Sequence, residues 1–186
     1  MLSFEEINKL RRTQTIVSII LFATVFFLFW NTTQFDLKEI QLSYWGLQKF
    51  GWIWNSSLML LSISIYINVH FYIKNNKRII FRKFLYIWFF LVSLSLFLTG
   101  LVTMHHASHD ITAYIYFFAY PLSIFLLAHL NRKHLQYSVW KTHLIFSIAT
   151  VTLPLLLLQF FPGMAIPETA HTLLVIGWNL RILFEE

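Results

Sequence analysis

FLYIWFFLVSLSLFLTGLVTMHHASHDITAYIYFFAYPLSIFLLAHL, residues 84–130, holds two apolar runs, 84–103 and 111–130, on either side of a short polar segment, 104–110. An α-helix rises about 1.5 Å per residue, so each run reaches across the roughly 30 Å hydrocarbon layer of a bilayer. A seven-residue connection rich in His, Ser and Asp joins them. The stretch therefore predicts a helical hairpin in lipid, with its turn at one membrane face.

Working outward, two further runs precede the hairpin, 15–31 and 52–73, and two follow it, 143–161 and 165–184. The last is the weakest, because Pro167 and Glu168 belong to its first turn or to the loop before it. Composition agrees with six spans. The chain is 58% hydrophobic, 19% aromatic and only 12% charged, against about 25% charged residues in an ordinary soluble domain. With 186 residues and no cysteine, it has no disulfide framework, no thiolate nucleophile and no Cys-based metal site. No repeat, low-complexity tract or soluble domain stands out, so residues 1–186 count as a single transmembrane domain: an all-α, six-helix bundle.

Lys and Arg set its expected orientation. Twelve of the fourteen fall before the first run (Lys9, Arg11, Arg12), between the second and third (Lys74, Lys77, Arg78, Arg82, Lys83), between the fourth and fifth (Arg132, Lys133, Lys141) or near the end (Arg181). Only Lys38 and Lys49 lie opposite. The positive-inside rule then puts both termini in the cytoplasm and the protein in the cell's inner, cytoplasmic membrane. The net charge of +6 is an insertion signal, which removes the reason to expect a nucleic-acid partner. At the amino end, Ser3-Phe4-Glu5-Glu6 has the form of a capping box, and Asn31-Thr32-Thr33-Gln34 follows the first run where a cleavage site would need small residues. The run is expected to be an uncleaved anchor.

In lipid, polar side chains near the spans carry the functional information. Here they gather at the outer ends: Asn55-Ser56-Ser57 on the second span, His105-His106-Ala107-Ser108-His109-Asp110 after the third, and Glu168-Thr169-Ala170-His171 on the sixth. Glu168 and His171 are three apart, one helical turn, as in the Glu-x-x-His pairs of bundle metal sites. His105 and His109 share a face only if the third span continues through the segment. If it turns there, His109 and Asp110 open the fourth helix, and Asp110 meets that helix's positive end.

Such a cluster suits three chemistries. His105, His109, His171 and Glu168 are ligand types for a divalent metal such as zinc, three of them with an open position making a catalytic centre. Without metal, His109, His171, Glu168 and Asp110 supply a carboxylate-oriented base for a hydrolase or transferase acting on a lipid or amphipathic substrate, with Ser43, Asn55 or Ser56 facing a developing oxyanion. As a third course, the same groups form a vestibule that binds or passes a lipid or small molecule with no bond broken. Equally, a tight interfacial turn has this composition with no function, and Asp110 serves only as a helix cap.

His70, His129, His134 and His143 fall toward the basic ends, at headgroup level. A haem would need facing rings, such as His70 with His129 or His143, and His109 with His171. Among the tryptophans, Trp30, Trp45, Trp52 and Trp54 are expected to mark the outer interface, with Trp88 and Trp178 deeper. Pro121 and Pro154 fall within the fourth and fifth helices, where a kink would free backbone carbonyls and open a cavity, though such prolines are more often only packing features.

Leu42-Ser43-Tyr44-Trp45-Gly46, Asn55, the 100–110 segment ending in His109-Asp110, and Glu168 with Trp178 occur in an order that resembles the uncharacterised bacterial integral-membrane family called domain of unknown function 998. The resemblance runs from Leu42 to Trp178. It implies a six-helix membrane protein and selects Ser43, Gly46, Asn55, His109, Glu168 and Trp178, bringing Trp178 into the candidate substrate-binding set. Trp45 before the glycine and Thr103-Met104 after the third span depart from the family pattern. A more distant similarity, to intramembrane hydrolases of the alkaline ceramidase and progestin-receptor type, rests on Ser, His and Asp near one membrane face. The chain lacks their seven helices and their His-x-x-x-His pair.

Overall fold

The computed structural model describes residues 3–32, 41–102 and 106–185. Among them the chain forms six α-helices: α1 (Phe4–Thr32), α2 (Gly51–Asn75), α3 (Arg82–Leu101), α4 (Ala107–Leu130), α5 (Tyr137–Leu157) and α6 (Ala165–Leu183). A 3-10 helix, Leu42–Leu47, lies between α1 and α2. Helices α1 to α5 are long and apolar enough to cross a membrane. Their outer faces carry exposed Ile20, Phe27, Phe90, Leu91, Phe118 and Ile148, side chains that only lipid or another apolar surface would solvate.

Helices adjacent in sequence pack against one another, and α2 also packs against α6. The register runs head to tail. Ser62 donates to the Ser93 carbonyl from α2 to α3, Phe89 of α3 meets Tyr120 of α4, and Ser147 of α5 donates to the Pro121 carbonyl of α4. His143 of α5 meets Trp178 of α6. Directions therefore alternate, and Asn8 near the start of α1 meets Asn75 at the end of α2. The basic residues of the α2–α3 and α4–α5 connections share that end of the bundle. At the start of α1 the capping box is formed: Ser3 N donates to Glu6 Oε2 at 2.7 Å, and Glu6 N donates to Ser3 Oγ.

The sixth expected run does form a helix, yet α6 is not among those apolar enough to cross a membrane by composition. Its polar residues face protein. Asn179 donates to the Tyr120 hydroxyl at 2.7 Å and its carbonyl accepts from Asn68 at 2.8 Å, while Trp178 stacks on Phe89 with ring planes 7° apart. Buried polar groups that are hydrogen-bonded cost little, so a helix at the centre of the bundle can be less apolar than those on its rim.

Two of the four outer tryptophans are not interfacial. Trp30 and Trp52 are exposed, but Trp45 and Trp54 are 0% and 1% exposed, with centroids 4.9 Å apart in an edge-on pair. Phe22, Phe26 and Phe29 of α1 surround them. The 3-10 helix thus carries Trp45 back into the core. His143 is likewise buried, because α5 begins at Tyr137, six residues before the apolar run, and places the ring between Tyr72 and Trp178.

Candidate functional site

The opposite end of the bundle brings together the 3-10 helix and the ends of α2, α3, α4 and α6. Glycine makes the approach possible. A Cβ on Gly46 would overlap the Asn55 side-chain oxygen, and one on Gly100 would sit 2.8 Å from the Asn55 carbonyl oxygen. Asn55 is held between the 3-10 helix on one side and α3 on the other.

Glu168, in the first turn of α6, reaches across to the start of the 3-10 helix, where its Oε2 accepts the Leu42 N–H at 2.7 Å. This bond to a leading helical amide ties together segments 126 residues apart in sequence. His109 lies in the first turn of α4, which begins at Ala107; α3 has ended at Leu101, so the chain turns between them. Its Nδ1 is 2.8 Å from the Val102 carbonyl oxygen. A carbonyl only accepts, so Nδ1 carries the proton and Nε2 keeps its lone pair. Thr112 braces the same turn by donating to the His109 carbonyl.

His109, Glu168, Ser43 and Asn55 line a cavity of about 60 Å³ together with Trp54 and Tyr116. That volume suits a few waters or one small polar group, a single water needing about 10–15 Å³. A smaller cleft of about 20 Å³ adds Asp110 and Gln41 to His109, Ser43 and Glu168. Asp110 is exposed in the first turn of α4, where its charge suits the helix dipole. Among the described residues no Lys or Arg lines either space.

His171 does not join this group. It is fully buried, its Nδ1 donates to the Thr150 carbonyl at 3.0 Å, and Phe117 and Tyr116 pack on its ring. One helical turn from Glu168, it faces α5 while Glu168 faces the 3-10 helix. Ser56 is adjacent to Asn55 in sequence but lines neither space. Trp178 sits deeper, its Nε1 donating to His143 Nδ1 at 3.0 Å. His105 lies outside the described residues. Among the described residues no group of three or more His, Asp or Glu is placed to hold a metal ion, and His171 lies apart from His109 and Glu168. The rings proposed for haem have other partners. His70 stacks on Tyr86 and His129 on Phe125, and both nitrogens of His143 are hydrogen-bonded.

Spacing gave no sign of an apolar groove beside the cavity. Phe22, Ala23 and Phe27 of α1, Leu42, and Thr172 and Leu173 of α6 enclose about 120 Å³. Phe22, Leu42 and Thr172 belong to both groove and cavity, and Phe27 and Leu173 are more than 60% exposed on the groove's outer rim. Groove and cavity thus lie side by side, with Phe22, Leu42 and Thr172 as their common wall. The chain matches no family model, no curated protein and no solved structure.

Proposed function

We propose that this chain is a six-span protein of the inner membrane, with its basic end in the cytoplasm, that takes an amphipathic lipid from the outer leaflet. The apolar tail lies in the groove between α1 and α6, and the head enters the cavity at His109, Glu168, Ser43 and Asn55. The observation that carries this reading is that groove and cavity adjoin, sharing Phe22, Leu42 and Thr172 as lining. Among the described residues Glu168, Asp110 and the His109 Nε2 are acceptors at this end and no Lys or Arg joins them in the lining, which favours a neutral or cationic head that donates hydrogen bonds, such as a hydroxyl or amine, over a phosphate. The resemblance to the membrane family named above fits the same reading, because Ser43, Gly46, Asn55, His109 and Glu168 meet at this one end.

The test is mass spectrometry of lipid retained by protein purified in mild detergent. Wild-type protein is expected to hold a defined amphipath that Thr172→Phe and Ala23→Phe exclude. Identical bulk-lipid profiles in all three would end the proposal.

A second reading, acid–base chemistry on the bound head, is favoured by the tautomer of His109. With Nδ1 bound to Val102, Nε2 is the nitrogen able to accept a proton from a hydroxyl or water. His109→Gln should then retain the amphipath and stop its conversion.

A further inference from the structure

The basic end of the bundle encloses a cavity of about 670 Å³, more than ten times the outer one and within the range of about 300–1,000 Å³ typical of small-molecule sites. Arg78 of the α2–α3 connection and Arg181 of α6 line it, with Gln136 and Ser138 at the start of α5 and Tyr72 and Glu185 across from them. Three features of the lining bear on what it binds.

Two guanidiniums line one space, that of Arg78 also donating to the Gln136 side-chain oxygen, and a guanidinium's planar donor fork matches phosphate oxygens. Beside them, the amino end of the 21-residue helix α5 reaches the cavity through Ser138. Gln136 at its N-cap position makes no side-chain cap, and no acid lies in the first turn, so the leading amides and the positive end of the dipole are left for a ligand. Glu185 supplies the opposite polarity. Its side chain is 8% exposed, and Arg181 lies 3.7 Å away.

The floor is fixed. Trp178 donates to His143 Nδ1, so the neutral ring carries its proton on Nε2 and donates to the Tyr72 hydroxyl at 2.9 Å. Tyr72 is thereby held in place, with its hydroxyl beside Glu185.

We propose that this cavity binds a phosphate-bearing molecule, with the phosphate between Arg78, Arg181 and the amino end of α5 and a hydroxyl or amine of the same molecule on Glu185. A free phosphomonoester and the headgroup of a lipid in the adjoining leaflet share that chemistry. Two measurements on the full chain separate them. One is calorimetric titration of detergent-purified protein with glycerol 3-phosphate; the other is native mass spectrometry after reconstitution in phosphatidylcholine nanodiscs doped with phosphatidic acid.

Saturable one-to-one binding is expected in at least one. Arg78→Gln and Arg181→Gln should each weaken it about tenfold, the loss of one charge-assisted contact, and Ser138→Trp should fill the space and abolish it. Binding of glycerol 3-phosphate alone assigns the site to a soluble ligand, and binding of phosphatidic acid alone assigns it to a lipid. Arg78 is exposed, so its substitution leaves the bundle folded and the comparison readable. Lys133→Gln removes an exposed charge from the α4–α5 connection, outside the cavity lining, and should change nothing. Failure of both probes to bind saturably, or equal weakening by Lys133→Gln and Arg78→Gln, overturns the proposal. The outer-site lipid proposal is untouched by either result.

Discussion

His171 donates its Nδ1–H to the carbonyl of Thr150 at 3.0 Å, and that carbonyl is the one Pro154, four residues on, cannot serve because it has no N–H. A side chain of α6 thus replaces a missing backbone donor of α5. Removing the ring should orphan a buried carbonyl, at about 1–3 kcal/mol, besides leaving a cavity. His171→Ala is expected to lower the melting temperature in detergent, and Pro154→Ala should recover part of the loss by restoring the helical donor. Equal losses in the presence and absence of Pro154 would show that the bond does not couple the two residues.

Asn55 is clasped by two glycines, and each contact leaves no room for a methyl group. Gly46→Ala and Gly100→Ala should each destabilise by about 1–3 kcal/mol through overpacking. Gly177 is the internal control. A Cβ there would meet Phe146 at an ordinary 3.4 Å, so Gly177→Ala should be neutral or stabilising by up to about 1 kcal/mol through helix propensity. Thermal denaturation of the three variants side by side checks the order.

Glu168 tethers the 3-10 helix, and that helix carries Trp45 into the core. Loss of a hydrogen bond to a charged group is worth about 1.5–3 kcal/mol. Glu168→Ala should release the tether and shift tryptophan emission to the red as Trp45 meets solvent or detergent. Glu168→Gln retains an acceptor oxygen and should keep most of the wild-type emission. An unshifted spectrum in the alanine variant would mean that the aromatic cluster alone holds the 3-10 helix.

The apolar runs predict these helices because lipid demands about twenty apolar residues whatever the partners of a helix; α3 and α4 lie within a few residues of 84–103 and 111–130. Contacts made by the backbone leave no such mark. Leu42 reveals nothing in sequence of the amide it offers to Glu168, and Thr150 nothing of the carbonyl it offers to His171. Spacing put Glu168 and His171 on one helical face, yet one turn of α6 near its start has different neighbours on either side, and the two side chains part. Trp45 and Trp54 have the composition of an interfacial belt. Their burial depends on α1 bringing Phe22, Phe26 and Phe29 beside them, a tertiary fact that no local pattern encodes.

Burial holds the Glu185 carboxyl above the usual carboxylate range, an effect that Arg181 and the Tyr72 hydroxyl partly offset. A folded pKa above the unfolded one means that the native state holds the proton more tightly. The stabilisation is complete below the unfolded pKa and is lost as pH rises through the folded one. Glu185→Gln cannot ionise, so its melting temperature relative to wild type should climb as pH rises out of the acidic range and then level off. A difference that stays flat across that window would place Glu185 in water.

The chain has no cysteine, so single substitutions can report which side of a membrane each end of the bundle faces. Lys49, at the end bearing the 3-10 helix, and Lys133, in the α4–α5 connection, are exposed. Phe184, just beyond α6, is 61% exposed. In intact cells an impermeant maleimide should label Lys49→Cys, while Lys133→Cys and Phe184→Cys should react only after permeabilisation. Phe184→Cys decides the sixth span. α6 carries Asn179 and Trp178 to partners on α2, α4 and α5 and runs antiparallel to α5, so if α5 crosses the membrane, α6 crosses it in the other direction. Labelling of Phe184→Cys from outside together with Lys49→Cys would leave five spans, and labelling of Lys133→Cys and Phe184→Cys from outside without Lys49→Cys would reverse the orientation set by the positive charges.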